Sequence, residues 1–217
     1  MTDYAAARTA MVDRQVRPSD VTSFPIIDAM LHIPRHRFVS PAHIDIAYSD
    51  ASLPLLPGRE ILAPRTFAKM LDGARIGADD LVLDLASGLG YSTAVIARMA
   101  AAVIALEPDA ALAETAAATL LDLEIDNAIL QAGDPVAGDS AHGPFDAIFI
   151  NGGVEVVPDA LLLQLKEGGR LVAVQMTAAM GRAVAFIRSG DRFQPRPLFD
   201  AAAPVLPGFA AKEAFAF

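Results

Sequence analysis

Residues 82 to 99, VLDLASGLGYSTAVIARM, run from an apolar stretch through a turn of small residues into a helical pattern. Gly88 and Gly90 allow the main chain to turn there and to approach a bound small molecule closely. Read as a dinucleotide site, Gly88-x-Gly90-x-x-Thr93 lacks the small third residue that supports tight packing near a pyrophosphate. Three carboxylates narrow the chemistry. Asp84 precedes the glycines, Glu107 closes the next apolar run in VIALEP, and Asp134 follows the third run in QAGDP. A carboxylate in the place of Glu107 accepts the hydrogens of both ribose hydroxyls. One in the place of Asp134 accepts from an adenine amino group. A phosphate-gripping Gly-Lys-Ser/Thr loop is missing, so the pattern suggests an adenosine that carries something other than phosphates. Taken singly, the glycines also suit an ordinary turn, Glu107-Pro108 a helix start, and Asp134 a loop carboxylate.

These residues need strand ends to hold them. LVLDLA is the continuous apolar run of a strand buried on both faces. YSTAVIARMA then reads as a helix, AVIALE as a strand, and PDAALAETAAATLLDL as a helix with proline in its first turn. NAILQAG and FDAIFINGG are two further strands, PDALLLQLKEGG a helix ending in glycine, and RLVAVQM a fifth strand. Strands alternating with helices imply a parallel sheet, here a doubly wound α/β fold of mostly parallel strands. The apolar runs on either side of SGD in the tail predict a C-terminal antiparallel hairpin.

The first third is less regular. Ala6, Ala7, Ala10, Met11 and Val16 form the stripe of a helix stopped before Pro18. A short apolar helix follows, with Ser23 as cap, Pro25 in its first turn and an end near Pro34. SLPLLPGREILAP reads as loop or short edge structure, and PRTFAKMLDGA as a helix stopped near Gly73. The expected organisation is one domain over 1–217, with a helical extension at 1–75 and an α/β core at 76–217.

Composition excludes several classes. The chain has 217 residues and no cysteine, which rules out disulfides, thiol catalysis and thiolate metal sites. The four histidines, His32, His36, His43 and His142, have no metal-ligand spacing and suit surface or loop roles. A net charge of −9 argues against a nucleic-acid binder. Residues 1–75 carry nine Lys/Arg and eight Asp/Glu against eight and eighteen in 76–217, so an anionic substrate meets least repulsion at the N-terminal part. No apolar run approaches the roughly 18 residues of a membrane span, and the charged start lacks a secretory core, so a cytoplasmic protein is expected.

The order of motifs resembles class I S-adenosylmethionine-dependent methyltransferases, specifically the protein-L-isoaspartate O-methyltransferase family. IPRHRFV followed by AYSDASLPL is similar to that family's N-terminal signature, LDLASGLGYSTAVIA to its cofactor loop, and VIALE to its ribose-binding strand. GPFDAIFINGG with VPDALLLQLKEGGRLV resembles its fourth strand, following helix and fifth strand. The resemblance spans about residues 9–175 and implies S-adenosylmethionine as cofactor and an isoaspartyl peptide or protein as substrate. By position it implies the methionine part at Ala86, Ser87, Gly88 and Gly90, with Asp84 just before the loop. It further implies the ribose at Glu107, the adenine at Gly133 and Asp134, and Asp50 near the acceptor.

A carboxylate acceptor is already ionised at neutral pH and needs no general base, so alignment and exclusion of water are the main requirements. Arg65 is the first candidate cation for docking the acceptor, and Arg35 and Arg37 are weaker candidates for which a solvent-facing role is the preferred reading. Three departures from the family pattern stand out. Its Thr-Ile-Ser-x-Pro segment appears here within GREILAP, with Glu60 and Leu62 in the hydroxyl positions. Ala86 replaces the first glycine of the loop, and Pro135 the glycine after Asp134. A hydroxyl near the reacting groups is therefore absent, and slow turnover of a standard isoaspartyl peptide is the expectation. A same-fold enzyme with another acceptor, and a non-catalytic cofactor-binding or interaction module, are the alternatives.

Overall fold

The structure is a computed structural model that describes residues 3–178 and 180–211. Seven strands form the main sheet in the order β5-β4-β3-β6-β7-β8-β9. These are β3 (Leu81–Leu85), β4 (Ala102–Glu107), β5 (Ala128–Ala132), β6 (Phe145–Val154), β7 (Leu165–Met176), β8 (Gly181–Ser189) and β9 (Arg192–Asp200). β3 to β7 pair in parallel, and β8 and β9 add an antiparallel hairpin. The order reverses between β3 and β6, so the open end lies at the carboxyl ends of those strands.

Side-chain alternation divides the core in two. Val82, Val103 and Ala105 join one cluster with α3 (Pro64–Ala74), α4 (Tyr91–Ala97) and α5 (Ala110–Asp122). Leu83, Leu85, Ile104 and Leu106 point to the other face, a two-residue period forced by the pleat. That second cluster takes its cover from α6 (Asp159–Leu162) and from Leu206 and Phe209 of the closing segment. The N-terminal helices α1 (Tyr4–Met11) and α2 (Phe24–His32) lie on the first face, where Met11, Val12, Val16, Ile26 and Met30 are buried.

Several local expectations are corrected. The first helix passes Met11 into a π turn at Val12–Val16 and a 3-10 turn at Arg17–Ser19, so Pro18 lies inside the last turn. Ser23 stands at the cap position of α2, yet its side chain makes no capping bond. α3 ends at Ala74, close to Gly73 as expected, but Arg75 and not the glycine takes the left-handed cap conformation. Asp109 caps α5 by accepting from the Leu112 N–H, so Pro108 precedes the helix.

Two corrections are larger. PDALLLQLKEGG is not one helix: α6 has four residues, and β7 starts at Leu165. The strand pairing Phe145↔Leu165 skips to Ala147↔Arg170, and the intervening residues bulge through Gly168 at φ 75°. SLPLLPGREILAP is a hairpin of β1 (Leu53–Leu56) and β2 (Arg59–Ile61), a two-stranded sheet of its own. Gly58, at φ 72°, makes the turn.

Candidate active site

The loop from β3 to α4 takes left-handed geometry three times, at Ala86 (φ 55°), Gly88 (φ 61°) and Gly90 (φ 89°). Alanine adopts this only at a cost, which the surroundings must supply. Ala86 N–H donates to Leu106 O at 2.8 Å, and Gly90 serves as the N-cap of α4.

Asp84 ties this loop to its neighbours. Its Oδ2 accepts from Ser92 Oγ and Thr93 Oγ1, both at 2.7 Å, and its Oδ1 from Asn151 Nδ2 at 2.7 Å. Asn151, within β6, also donates to Leu85 O, which joins that strand to the end of β3. Burial lifts the Asp84 carboxyl from 3.8 to about 6, against three donors that lower it and with Glu107 nearby adding to the rise. The folded state therefore holds this proton longer than the unfolded chain. The stability it contributes is complete below about pH 3.8 and is lost as pH rises through 6. The difference in unfolding free energy between wild type and Asp84→Asn, from urea transitions at about pH 4, 6 and 7.5, should shift in the variant's favour as pH rises. A difference that is constant with pH would remove this assignment.

Glu107 is fully buried at the end of β4 and is the most heavily bonded carboxylate of the site. Gly88 N–H donates to its Oε2 at 2.6 Å and Asp109 N–H to its Oε1 at 3.0 Å. The guanidinium of Arg59, from β2, spans both oxygens, with Nη1 on Oε1 and Nη2 on Oε2 at 2.7 Å. Nη2 also donates to Ala86 O at 3.0 Å. Gly133 N–H donates to Glu107 O at 3.0 Å, which brings the end of β5 alongside. Asp134 is exposed and accepts from Val136 N–H at 2.9 Å. Arg59, Ala86, Pro108, Gly133, Asp134 and Leu206 bound a cleft of about 810 Å³.

The other side of the loop is tight. Around Leu62, Ser87 and Tyr91 the free space is only about 20 Å³, room for roughly one water. Leu62 is buried, and Leu55 from β1 lies over Gly88, 2.7 Å from where a Cβ would stand. Arg35 also lines this space and is fully buried, which corrects its solvent-facing reading. Its Nε donates to Ala47 O and its Nη2 to Leu62 O, both at 2.8 Å, and its guanidinium lies 4.7 Å above the Tyr91 ring. Burial pulls its pKa below the ordinary value, against the raising effect of Tyr91. Three buried polar atoms here have no partner: Arg35 Nη1, Ser87 Oγ and Tyr91 Oη.

The structure thus gathers Asp84, Ala86, Ser87, Gly88, Gly90, Glu107 and Gly133 around one loop, with Asp134 at the rim. Asp50 and Arg65 fall outside the tight space and face each other at 3.6 Å, both well exposed. Arg37 is exposed and pairs with Asp122, as a solvent-facing arginine would. Sequence reasoning missed Arg59 and Asn151, and ranked Arg35 below Arg65 as a docking cation. Only the flanking Ile33, Phe38 and Val39 hinted that Arg35 lies in an apolar setting. Among the described residues no group of three His, Cys, Asp or Glu could hold a metal, and no helix is long and apolar enough to cross a membrane.

Comparison with known proteins shows the family of the chain. Residues 6–191 match the family model for protein-L-isoaspartate(D-aspartate) O-methyltransferase. A protein-L-isoaspartate O-methyltransferase of Methylorubrum extorquens (strain PA1) is 38% identical over 195 residues, 89% of this chain and 85% of that one. One from Opitutus terrae is 40% identical over 173 residues, covering 78% and 74%. A solved protein-L-isoaspartate O-methyltransferase superposes with TM-score 0.82 at 24% identity, over 93% of this chain and 66% of that chain. A putative one from Plasmodium falciparum, in complex with S-adenosyl-L-homocysteine, gives 0.78 at 20% identity, over 95% and 99%. Both show the same fold, and on the family model and the sequence relatives this chain belongs to the protein-L-isoaspartate O-methyltransferase family.

Proposed function

We propose that this protein is a cytoplasmic S-adenosylmethionine-dependent methyltransferase that esterifies the carboxylate of isoaspartyl residues in damaged proteins. The observation that carries the reading is the buried Glu107 carboxylate beside the left-handed loop 86–90, in a chain of this family. Glu107 is the ribose acceptor, Gly133 and Asp134 lie at the adenine end of the cleft, and Ala86, Ser87, Gly88 and Gly90 bear the methionine part. The unpartnered Ser87 Oγ and Tyr91 Oη suit a polar ligand group on that side, since buried polar atoms are costly to leave unpaired. One residue opposes the fit as it stands: Arg59 already occupies Glu107.

When bound, S-adenosylmethionine supplies a methyl group on a sulfonium, an activated carbon. The chain's own task is to set an ionised acceptor oxygen in line with that carbon and to keep water out. Phe38, Phe67 and Tyr91 form an aromatic wall suited to exclusion, with ring centroids 5.5 to 5.9 Å apart in successive pairs. Arg35 is the cation on the acceptor side, because it lines the tight space while Arg65 lies outside it and faces Asp50. The test is a calorimetric titration with S-adenosylmethionine, S-adenosylhomocysteine and NAD, followed by radiolabel transfer to an isoaspartyl peptide. Binding of the first two and slow transfer are expected; binding of NAD alone would overturn the assignment.

A second reading, a cofactor-binding protein with another acceptor or none, is favoured by Leu62. Its side chain fills the space where the family pattern places a hydroxyl.

A further inference from the structure

A carboxylate offers about four lone-pair sites on its two oxygens. At Glu107 all four are taken: two by backbone N–H groups, from Gly88 and Asp109, and two by the Arg59 guanidinium. A ribose diol needs two of them. The two backbone donors are fixed, because Gly88 belongs to the loop after β3 and Asp109 caps α5. Arg59 is on a different footing. It reaches Glu107 from the β1–β2 hairpin, a separate two-stranded sheet whose turn at Gly58 meets no neighbouring atom within 4 Å of a would-be Cβ.

The same hairpin closes the methionine side. Leu55, two residues beyond the start of β1, rests on Gly88, while Arg59 at the start of β2 bonds both Ala86 O and Glu107. One hairpin therefore blocks two parts of the site at once. The cleft at Gly133 and Asp134 stays open at about 810 Å³, against about 20 Å³ beside Leu62.

Resting on the cofactor reading above, we propose that Arg59 competes with the cofactor's ribose for Glu107, so that the β1–β2 hairpin must release its guanidinium before the cofactor seats. The adenine end enters first, through the open cleft, and the ribose then displaces Arg59. A bidentate arginine–carboxylate pair, 6% and 0% exposed on its two side chains, is a strong competitor. It lowers the apparent affinity in proportion to the fraction of molecules in which the hairpin is released. Where that fraction is about a tenth, removing the guanidinium tightens binding about tenfold.

The experiment is isothermal titration of S-adenosylhomocysteine into wild type, Arg59→Gln and Arg59→Lys, with thermal unfolding of each protein to confirm folding. Glutamine is neutral and cannot span both carboxylate oxygens; lysine keeps the charge but offers a single nitrogen. A Kd about tenfold lower for Arg59→Gln than for wild type, with Arg59→Lys between them, is the expected result. Binding by the glutamine variant when wild type shows none supports the proposal still more strongly. Equal or weaker binding by both folded variants, with wild type binding normally, overturns the proposal and leaves the cofactor reading intact. No binding by any of the three folded proteins overturns both. Should Arg59→Gln fail to fold, Arg59→Lys decides alone: a Kd below wild type supports the competition, and an unchanged or higher one ends it.

Discussion

Glu107→Ala should cost about 3 kcal/mol of folding stability, more than a surface carboxylate and more than a simple lost hydrogen bond, because it strands its partners. The side chain is fully buried and neutralises Arg59, itself 6% exposed. Without it, the guanidinium and the N–H groups of Gly88 and Asp109 lose their acceptor. The adjacent cleft lets some water in, which places the cost at the lower end of the range of about 3 to 5 kcal/mol for breaking a buried pair. The distinguishing feature is non-additivity. The double variant Glu107→Ala, Arg59→Met should be more stable than Glu107→Ala alone, since the unpaired charge is gone. Urea unfolding of the two single variants and the double variant measures this. A loss under about 1 kcal/mol for Glu107→Ala, or a double variant no better than the single one, would show that the pair is not held as described. With Arg59→Gln in both proteins, so that no guanidinium competes, folded Glu107→Ala should also bind S-adenosylhomocysteine about 1.5 to 3 kcal/mol more weakly, the worth of hydrogen bonds to a charged group.

Leu62→Ser together with Glu60→Thr should raise the rate of isoaspartyl methylation about 100-fold, by analogy with restoring one oriented hydrogen-bonding group at a reacting centre. Leu62 is 4% exposed and shares its tight space with Ser87, Tyr91 and Asn151. Its backbone carbonyl is held by Arg35 Nη2 at 2.8 Å, so the backbone is anchored and the side chain is what differs. Serine both opens the space and supplies the hydroxyl. It also removes a core leucine, at a cost of roughly 2 to 5 kcal/mol by comparison with leucine-to-alanine changes. The rates therefore have to be compared well below the variant's unfolding temperature. At saturating cofactor, equal and brisk rates for wild type and double variant would show the hydroxyl to be dispensable. If neither protein methylates the peptide while both bind S-adenosylhomocysteine, the acceptor is something else.

The amino-acid sequence by itself determined the order of strands and helices in the α/β core. Apolar runs such as LVLDLA and AVIALE are long, continuous and separated by strong turn signals, so their periodicity needs no tertiary help. It also determined which carboxylates stand at strand ends, because Glu107 and Asp134 follow directly from where the runs stop. What it left undecided lies where local preference is weak. KEGG looked like the end of a helix because lysine and glutamate favour helices, yet pairing with β6 draws Leu165 onward into β7 and the glycines absorb the mismatch as a bulge. SLPLLPGREILAP has prolines that suit a loop, and only contact with the loop after β3 shows why its hairpin matters. The partners of charge were beyond reach altogether. Arg35 and Arg59 look like any surface arginine in a one-dimensional string, and their partners are 12 to 48 residues away. Burial turns the first into a cation without a carboxylate and the second into the occupant of Glu107. Such pairings depend on which distant segments the sheet brings together, and a carboxylate at a strand end does not specify what it will hold.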